Sequence, residues 1–132
     1  GNRFIPGKRP MSTMNPVIVK NKDNNISIIT GSPGGSFIPA AALRVITGII
    51  DFNLDVGQAT MLPRIHKDWP YAGLEYESTL SSDIVSVLER LGHQPEPSKT
   101  LGSTQSITII DGINYGYADL RRPNAGVAIQ VD

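Results

Sequence analysis

The chain has 132 residues, with 12 Lys plus Arg against 12 Asp plus Glu, a formal net charge of zero. That length makes one domain or part of one, and the balanced charge gives no general polyanion-binding surface. Cysteine is absent, which excludes disulfides and thiolate chemistry and leaves the compartment open. No apolar run is long enough to span a membrane.

The N-terminal stretch GNRFIPGKRP is polar and rich in Gly and Pro. It reads as a loop and not as a signal peptide. The runs PVIVK (residues 16–20) and ISIIT (26–30) are β-branched and flank NKDNN, which has turn composition, so a hairpin is expected. The loop GSPGG (31–35) follows. From about residue 37 to 52 apolar residues cover most of a helix circumference, which predicts a helix buried on more than one side. Pro39 fits only in its first turn, so the start belongs near Ser36 or Phe37. Residues 55–62 read as a second short helix stopped by Pro63, and LEYE (74–77) as a short strand. A further helix is capped by Ser81 or Ser82, with Asp83 in its first turn and Gly92 as a left-handed stop. Its expected apolar face is Ile84, Val85, Val87, Leu88 and Leu91. SITII (106–110), DGIN and YGYAD make a second hairpin, and AGVAIQV (125–131) a last strand. The order predicts a mixed α/β fold of the α+β type, with hairpins that require antiparallel pairing.

Two places can carry chemistry. In GSPGG a strand gives way to a helix whose first N–H groups lack intrahelical partners, and Gly34 and Gly35 leave the backbone open to close approach. Such a junction either binds a phosphate, a carboxylate or a developing oxyanion, or is a tight connection with no ligand. A phosphate-binding P-loop is excluded, because Gly35 is followed by Ser36, Phe37 and Ile38 and not by lysine and a hydroxyl residue. The second place is RPMSTMNP, where Ser12 and Thr13 are adjacent hydroxyls before a strand. Adjacent hydroxyls in a loop ordinarily make local turn hydrogen bonds.

His66 and His93 are the only histidines, and neither belongs to a spacing that suggests a metal site. His93 follows the helix stop and reads as a C-terminal dipole partner. For His66 and Trp69, in RIHKDW, a structural role is the expectation. Tyr71, Tyr76, Tyr115 and Tyr117 are scattered and form no platform for nucleic acid.

In order along the chain, GKRPMSTMNPVIV, TGSPGGS, LPRIHKDW, LERLGH, LGSTQSI and YGYADLRR resemble the small subunit of the γ-glutamyltranspeptidases, whose usual form is close to KRPLSSMSPTIV…GSPGG. The likeness runs from about Gly7 to Asp119. It implies part of a four-layer αββα N-terminal nucleophile hydrolase, with the residue 37–52 helix packed on antiparallel sheet. In that family a precursor cleaves itself, and the new N-terminal threonine attacks a γ-glutamyl amide such as glutathione. The acyl group then passes to water or to an amino acid or peptide. The resemblance assigns the backbone N–H groups of Gly34 and Gly35 to the oxyanion hole, and Ser12 and Thr13 to the paired serine positions that hold the substrate α-carboxylate. Thr13 departs from the family by a methyl group while keeping the hydroxyl. Asp119 with Arg121 resembles the closing D-x-R, an ion pair holding the last hairpin.

The chain starts at Gly1, and none of its threonines matches the nucleophile motif. It is therefore expected to be the C-terminal portion of a small subunit, inactive alone. Its expected partners are the γ-glutamyl substrate, the large subunit and the N-terminal part of the small subunit, with self-association of the isolated piece and no nucleic acid. No cofactor or metal is implied, and the family suggests a periplasmic or extracellular location. A non-catalytic relative that keeps the fold, or an acylase of related fold, is the alternative.

Overall fold

The computed structural model describes residues 3–71 and 73–129. The elements in chain order are β1 (Val17–Lys20), β2 (Ile26–Gly31), α1 (Phe37–Ile50), α2 (Val56–Met61), β3 (Ile65–His66), β4 (Gly73–Glu77), α3 (Ser82–Arg90), β5 (Gln94–Ser98), β6 (Gln105–Ile110) and β7 (Ile113–Ala118). β1, β2, β6 and β7 form, in that order, an antiparallel four-stranded sheet. Both expected hairpins are present. The second turns on Asp111 and Gly112, whose φ values of 52° and 79° suit a two-residue hairpin connection.

Register decides which residues share a face. Val17, Thr30, Ser106 and Tyr117 form one cross-strand row, and Val19, Ile28, Thr108 and Tyr115 form the next on the same face. Ile28, Thr30, Ser106 and Thr108 are buried there, beneath α1 and α2. Thr30 and Ser106 satisfy each other through a 2.8 Å hydroxyl–hydroxyl hydrogen bond, so the polar pair is buried without an orphaned group. The opposite face presents Ile18, Ile29 and Ile107 in one row, and Ile18 and Ile107 are exposed.

α1 buries Ile38, Ala41, Ala42, Val45 and Gly48, a single stripe. Leu43 and Ile50, on the other side, are exposed. The expected burial on more than one side is thus not met within the described residues: β2, α2 and, at its start, β3 pack against this helix and leave Leu43 and Ile50 uncovered. Gly48 costs about 1 kcal/mol of helix propensity relative to alanine, but a Cβ there would lie 3.0 Å from the Ala59 Cβ, so it permits the close approach of α2. α2 starts at a capping box, with the Gln58 N–H donating to Asp55 Oδ1 at 2.7 Å and the Asp55 N–H to Gln58 Oε1 at 3.1 Å.

The smaller sheet is ordered β3-β4-β5, with β3 antiparallel to β4 and β4 parallel to β5 across α3. β5 is absent from the reading above because its sequence is QPEPS, and proline argues against a strand. Pro95 and Pro97 are tolerated because β5 is an edge, and alternate residues aim their amide groups to the same side. Among the five residues expected to form the apolar face of α3, Val85 and Leu88 are half-buried while Ile84, Val87 and Leu91 are exposed. Residues 125–129 do not form the expected last strand, and Gln130 and Val131 lie outside the described residues. Alternation alone supplies no partner edge. Val127 packs instead across the sheet face, with its Cγ1 3.2 Å from where a Gly116 Cβ would stand.

Candidate active-site loops and their buried support

The GSPGG loop joins the end of β2 to the start of α1. The amides of Phe37 and Ile38 are not free, since they donate to the carbonyls of Gly34 and Gly35 at 3.2 Å each. The helix itself therefore offers fewer donors than its sequence suggests. The N–H groups of Gly34 and Gly35 have no acceptor among the described residues. Both glycines have positive φ, 137° and 60°, a conformation that a side chain would strain. α1 has no acidic residue in its first turn and no side-chain cap from Ser36, so its own residues leave the positive dipole end uncompensated.

Ser12 and Thr13 are exposed, and Ser12 Oγ accepts the Met14 N–H at 3.2 Å. This is the local turn bond that such residues ordinarily make. Val17 pairs with Thr30, and the Pro16 Cα lies 3.8 Å from where a Gly31 Cβ would stand. The segment carrying Ser12 and Thr13 thus enters the sheet at the end where GSPGG leaves it.

His66 hydrogen-bonds Asp68 Oδ1 through Nε2 at 2.9 Å and sets its ring edge-on to Phe37, 4.8 Å between centroids. The Ser36 hydroxyl, and then His66, hold the Asp68 carboxyl below its ordinary range. His66 therefore braces the start of α1, in line with the structural role expected of it. Trp69 is exposed. His93 acts through its backbone, donating to the Leu88 carbonyl at 3.1 Å beside Gly92, whose φ is 87°, as in a Schellman stop.

The largest polar feature is a buried quartet. Arg64 pairs with Asp119 at 2.7 Å, Arg121 with Glu77 at 2.7 Å, and Arg121 with Asp119 at 3.2 Å. The expected Asp119–Arg121 pair is present, inside a network whose other members the sequence did not announce. Arg64 lies within LPRIHKDW and Glu77 within LEYE. The only available signal was their place in those motifs, because charged residues are mostly solvated.

Arg64 also donates to the carbonyls of Leu101 at 3.2 Å and Thr60 at 3.0 Å and to Thr104 Oγ1 at 3.1 Å. Burial lowers its pKa, the nearby Arg121 adds to this, and Asp119 opposes both. Burial pushes the Asp119 carboxyl up. The Arg121 N–H, the Arg64 guanidinium and the Thr104 N–H outweigh it and hold Asp119 below the usual carboxylate range. Burial works against the Arg121 charge, but the Glu77 carboxylate and then Asp119 raise its pKa above the ordinary value.

The quartet fixes the buried segment of residues 101–104. The Leu101 N–H donates to Glu77 Oε1 at 3.1 Å and the Thr104 N–H to Asp119 Oδ2 at 2.9 Å. Gly102 and Gly34 meet backbone to backbone, since a Cβ on Gly34 would stand 3.2 Å from the Gly102 Cα. Among the described residues no group of His, Asp and Glu side chains is placed to hold a metal ion, and no helix is long and apolar enough to cross a membrane.

The family model for γ-glutamyltranspeptidase matches residues 1–129. The glutathione hydrolase proenzyme of Escherichia coli K12 is 42% identical over 121 residues, covering 91% of this chain and 21% of that protein. Among solved structures, a mutant γ-glutamyltranspeptidase of Helicobacter pylori superposes with a TM-score of 0.84 at 33% identity, covering 90% of this chain and 66% of that one. The cephalosporin acylase of Bacillus halodurans superposes with a TM-score of 0.88 at 26% identity, covering 98% of this chain and 24% of that one. The chain spans about a fifth of the length of the glutathione hydrolase proenzymes of Escherichia coli and Bacillus subtilis strain 168.

Proposed function

Because the chain belongs to the γ-glutamyltranspeptidase family, we propose that it is the C-terminal portion of a small subunit and supplies the oxyanion hole of an enzyme that cleaves γ-glutamyl amides. The observation that carries this reading is the pair of unpartnered N–H groups on Gly34 and Gly35. The nucleophilic threonine comes from the rest of the polypeptide. Its hydroxyl oxygen forms a bond to the γ-carbonyl carbon, and its proton passes to its own α-amine. The carbonyl π electrons move onto oxygen, where the two N–H groups hold the negative charge. Collapse of this intermediate expels the amine with a proton and leaves an ester. Water or an acceptor amine then attacks the ester and regenerates the hydroxyl. Glutathione-like donors fit the names of the relatives. Ser12 and Thr13 take the substrate α-carboxylate in this reading, supported by their entry at the same end of the sheet.

The large subunit and the remainder of the small subunit are the proposed partners. The exposed apolar residues Ile18 and Ile107 on the sheet and Leu43 and Ile50 on α1 support them, because patches of that kind mark interaction surfaces. The superposition on cephalosporin acylase keeps a second reading in play, an acylase acting on other amides. A panel of γ-glutamyl and other acyl anilides offered to the complete protein separates the two.

The oxyanion role is tested in that complete protein by Gly35→Pro beside Gly35→Ala. A Cβ on Gly35 meets nothing within 4 Å, so alanine keeps the N–H at the modest cost of a positive φ. Proline removes the donor and also forces φ negative. Losing one such donor costs about 100- to 1000-fold in kcat. We expect that loss for Gly35→Pro and much less for Gly35→Ala. A folded Gly35→Pro enzyme with near wild-type turnover would sink the reading.

A further inference from the structure

An oxyanion donor is useful only if its peptide plane is held before the charge develops. The Gly35 N–H belongs to the peptide whose carbonyl is that of Gly34, and this carbonyl is held by the Phe37 N–H at 3.2 Å. The Gly34 N–H belongs to the peptide whose carbonyl is that of Pro33. Among the described residues no backbone amide holds this second carbonyl. The Ser32 hydroxyl does, donating to it at 2.6 Å. The same hydroxyl oxygen accepts the Ser103 N–H at 2.9 Å. Among the described residues the only cis peptide is Trp69–Pro70, so the Pro33–Gly34 peptide is trans, and fixing its oxygen aims its N–H the opposite way.

We infer that Ser32 is a positioning residue, whose hydroxyl fastens the Gly34 peptide to the buried 101–104 segment. The inference rests on the proposed oxyanion role of Gly34. The chain of support is continuous. Ser103 lies between Leu101, whose N–H and carbonyl are held by Glu77 and Arg64, and Thr104, whose N–H is held by Asp119. Its position is therefore set by groups that are themselves buried and paired. Gly102 lets the two loops approach: its φ is 79°, and a Cβ there would stand 2.8 Å from Ser32 Oγ and 3.0 Å from the Ala41 Cβ. Among the described residues Ser32 makes no hydrogen bond to another side chain. Its hydroxyl is spent on backbone at both ends, which is what orienting a peptide requires.

The test uses the complete, processed enzyme and compares Ser32→Ala, Ser32→Thr and Ser32→Val with wild type and with Gly35→Pro. Threonine and valine have the same bulk and differ by the hydroxyl. A small displacement of a catalytic group can cost up to about 100-fold, and a loosened peptide short of that is expected to lower kcat by about tenfold. In Ser32→Ala we expect that fall with the KM for the γ-glutamyl donor within about twofold of wild type. Ser32→Thr should recover most of kcat, and Ser32→Val should not. Crystal structures of Ser32→Ala and wild type carrying a tetrahedral adduct should show the Pro33–Gly34 peptide rotated or split in the variant. Wild-type kcat in Ser32→Ala, or a loss that threonine repairs no better than valine, overturns the inference. If Gly35→Pro is crippled in the same experiment, the oxyanion reading stands while the positioning role falls. If Gly35→Pro is also active, the oxyanion reading falls with it.

Discussion

The two loops assigned to the substrate leave and enter the same end of one sheet, yet they are held in different ways. GSPGG is fastened on both sides. α1 takes the carbonyls of Gly34 and Gly35, and Ser32 ties the loop to a buried segment clamped by two arginines and two carboxylates. RPMSTMNP is exposed, and its bond from the Met14 N–H to Ser12 reaches only two residues along the chain. Backbone donors that must meet a charge lasting only as long as the transition state need an environment that does not reorganise. Hydroxyls that bind a ground-state carboxylate can be ordered by the substrate or by a neighbouring subunit.

The sharpest way to break this contrast is to remove the clamp. Arg64→Ala leaves the Asp119 carboxylate without its 2.7 Å partner and the Leu101 carbonyl without a donor. Truncating one member of a buried ion pair costs about 3–5 kcal/mol, so the variant should be poorly folded at working temperature. Arg64→Lys should not rescue it, because an ammonium cannot reproduce the planar fork of contacts. An unfolding free energy within about 1 kcal/mol of wild type by denaturant titration would show that the quartet is not what holds the 101–104 segment.

A smaller effect is expected from acid. Asp119 has a pKa below its ordinary range in the folded chain, so the folded state binds fewer protons than the unfolded state near that value. The stability it contributes is present above the unfolded carboxylate pKa of about 3.9 and is lost as pH falls through the lower, folded value. The stability difference between wild type and Asp119→Asn should therefore shrink between pH 7 and pH 3. A difference that stays constant over that range would mean that the Asp119 charge does not contribute.

The smallest effect on stability belongs to the exposed loop. Ser12→Ala should change unfolding by no more than about 0.5 kcal/mol, as surface substitutions usually do. If Ser12 holds the substrate carboxylate, KM for the donor should rise about tenfold, which is about 1.4 kcal/mol of binding, with kcat nearly unchanged. A kcat loss matching that of Gly35→Pro would mean that this loop, too, is part of the transition-state machinery.

Local chemistry made much of the fold legible. β-branched runs around NKDNN and DGIN predicted the two hairpins, and the Ser81 cap and Gly92 stop predicted α3. The Asp55–Gln58 spacing agrees with the box that opens α2. The glycine loop and the two hydroxyls were legible as motifs. Glu77 was legible only as one residue of an alternating strand, and Arg64 only as a member of a motif. Neither showed that it would be buried, because a charged residue acquires a buried partner only when distant segments meet. β5 stayed hidden for a related reason: its prolines are acceptable only at a sheet edge, and being an edge is a property of the assembled sheet.

The sequence by itself determined the family, the order of hairpins and helices, and the glycines at which the backbone can adopt the conformation of the GSPGG loop. These depend on neighbours a few residues apart, through turn chemistry, caps and periodicity. Local bonds spanning three residues give the amides of Phe37 and Ile38 to the carbonyls of Gly34 and Gly35, and the tertiary structure decided what holds the rest of the loop. It alone brought Ser103 to Ser32 across 71 residues and Arg64 to Asp119 across 55. A hydrogen bond of about 3 Å between segments so far apart in the chain follows from how the sheet and helices pack.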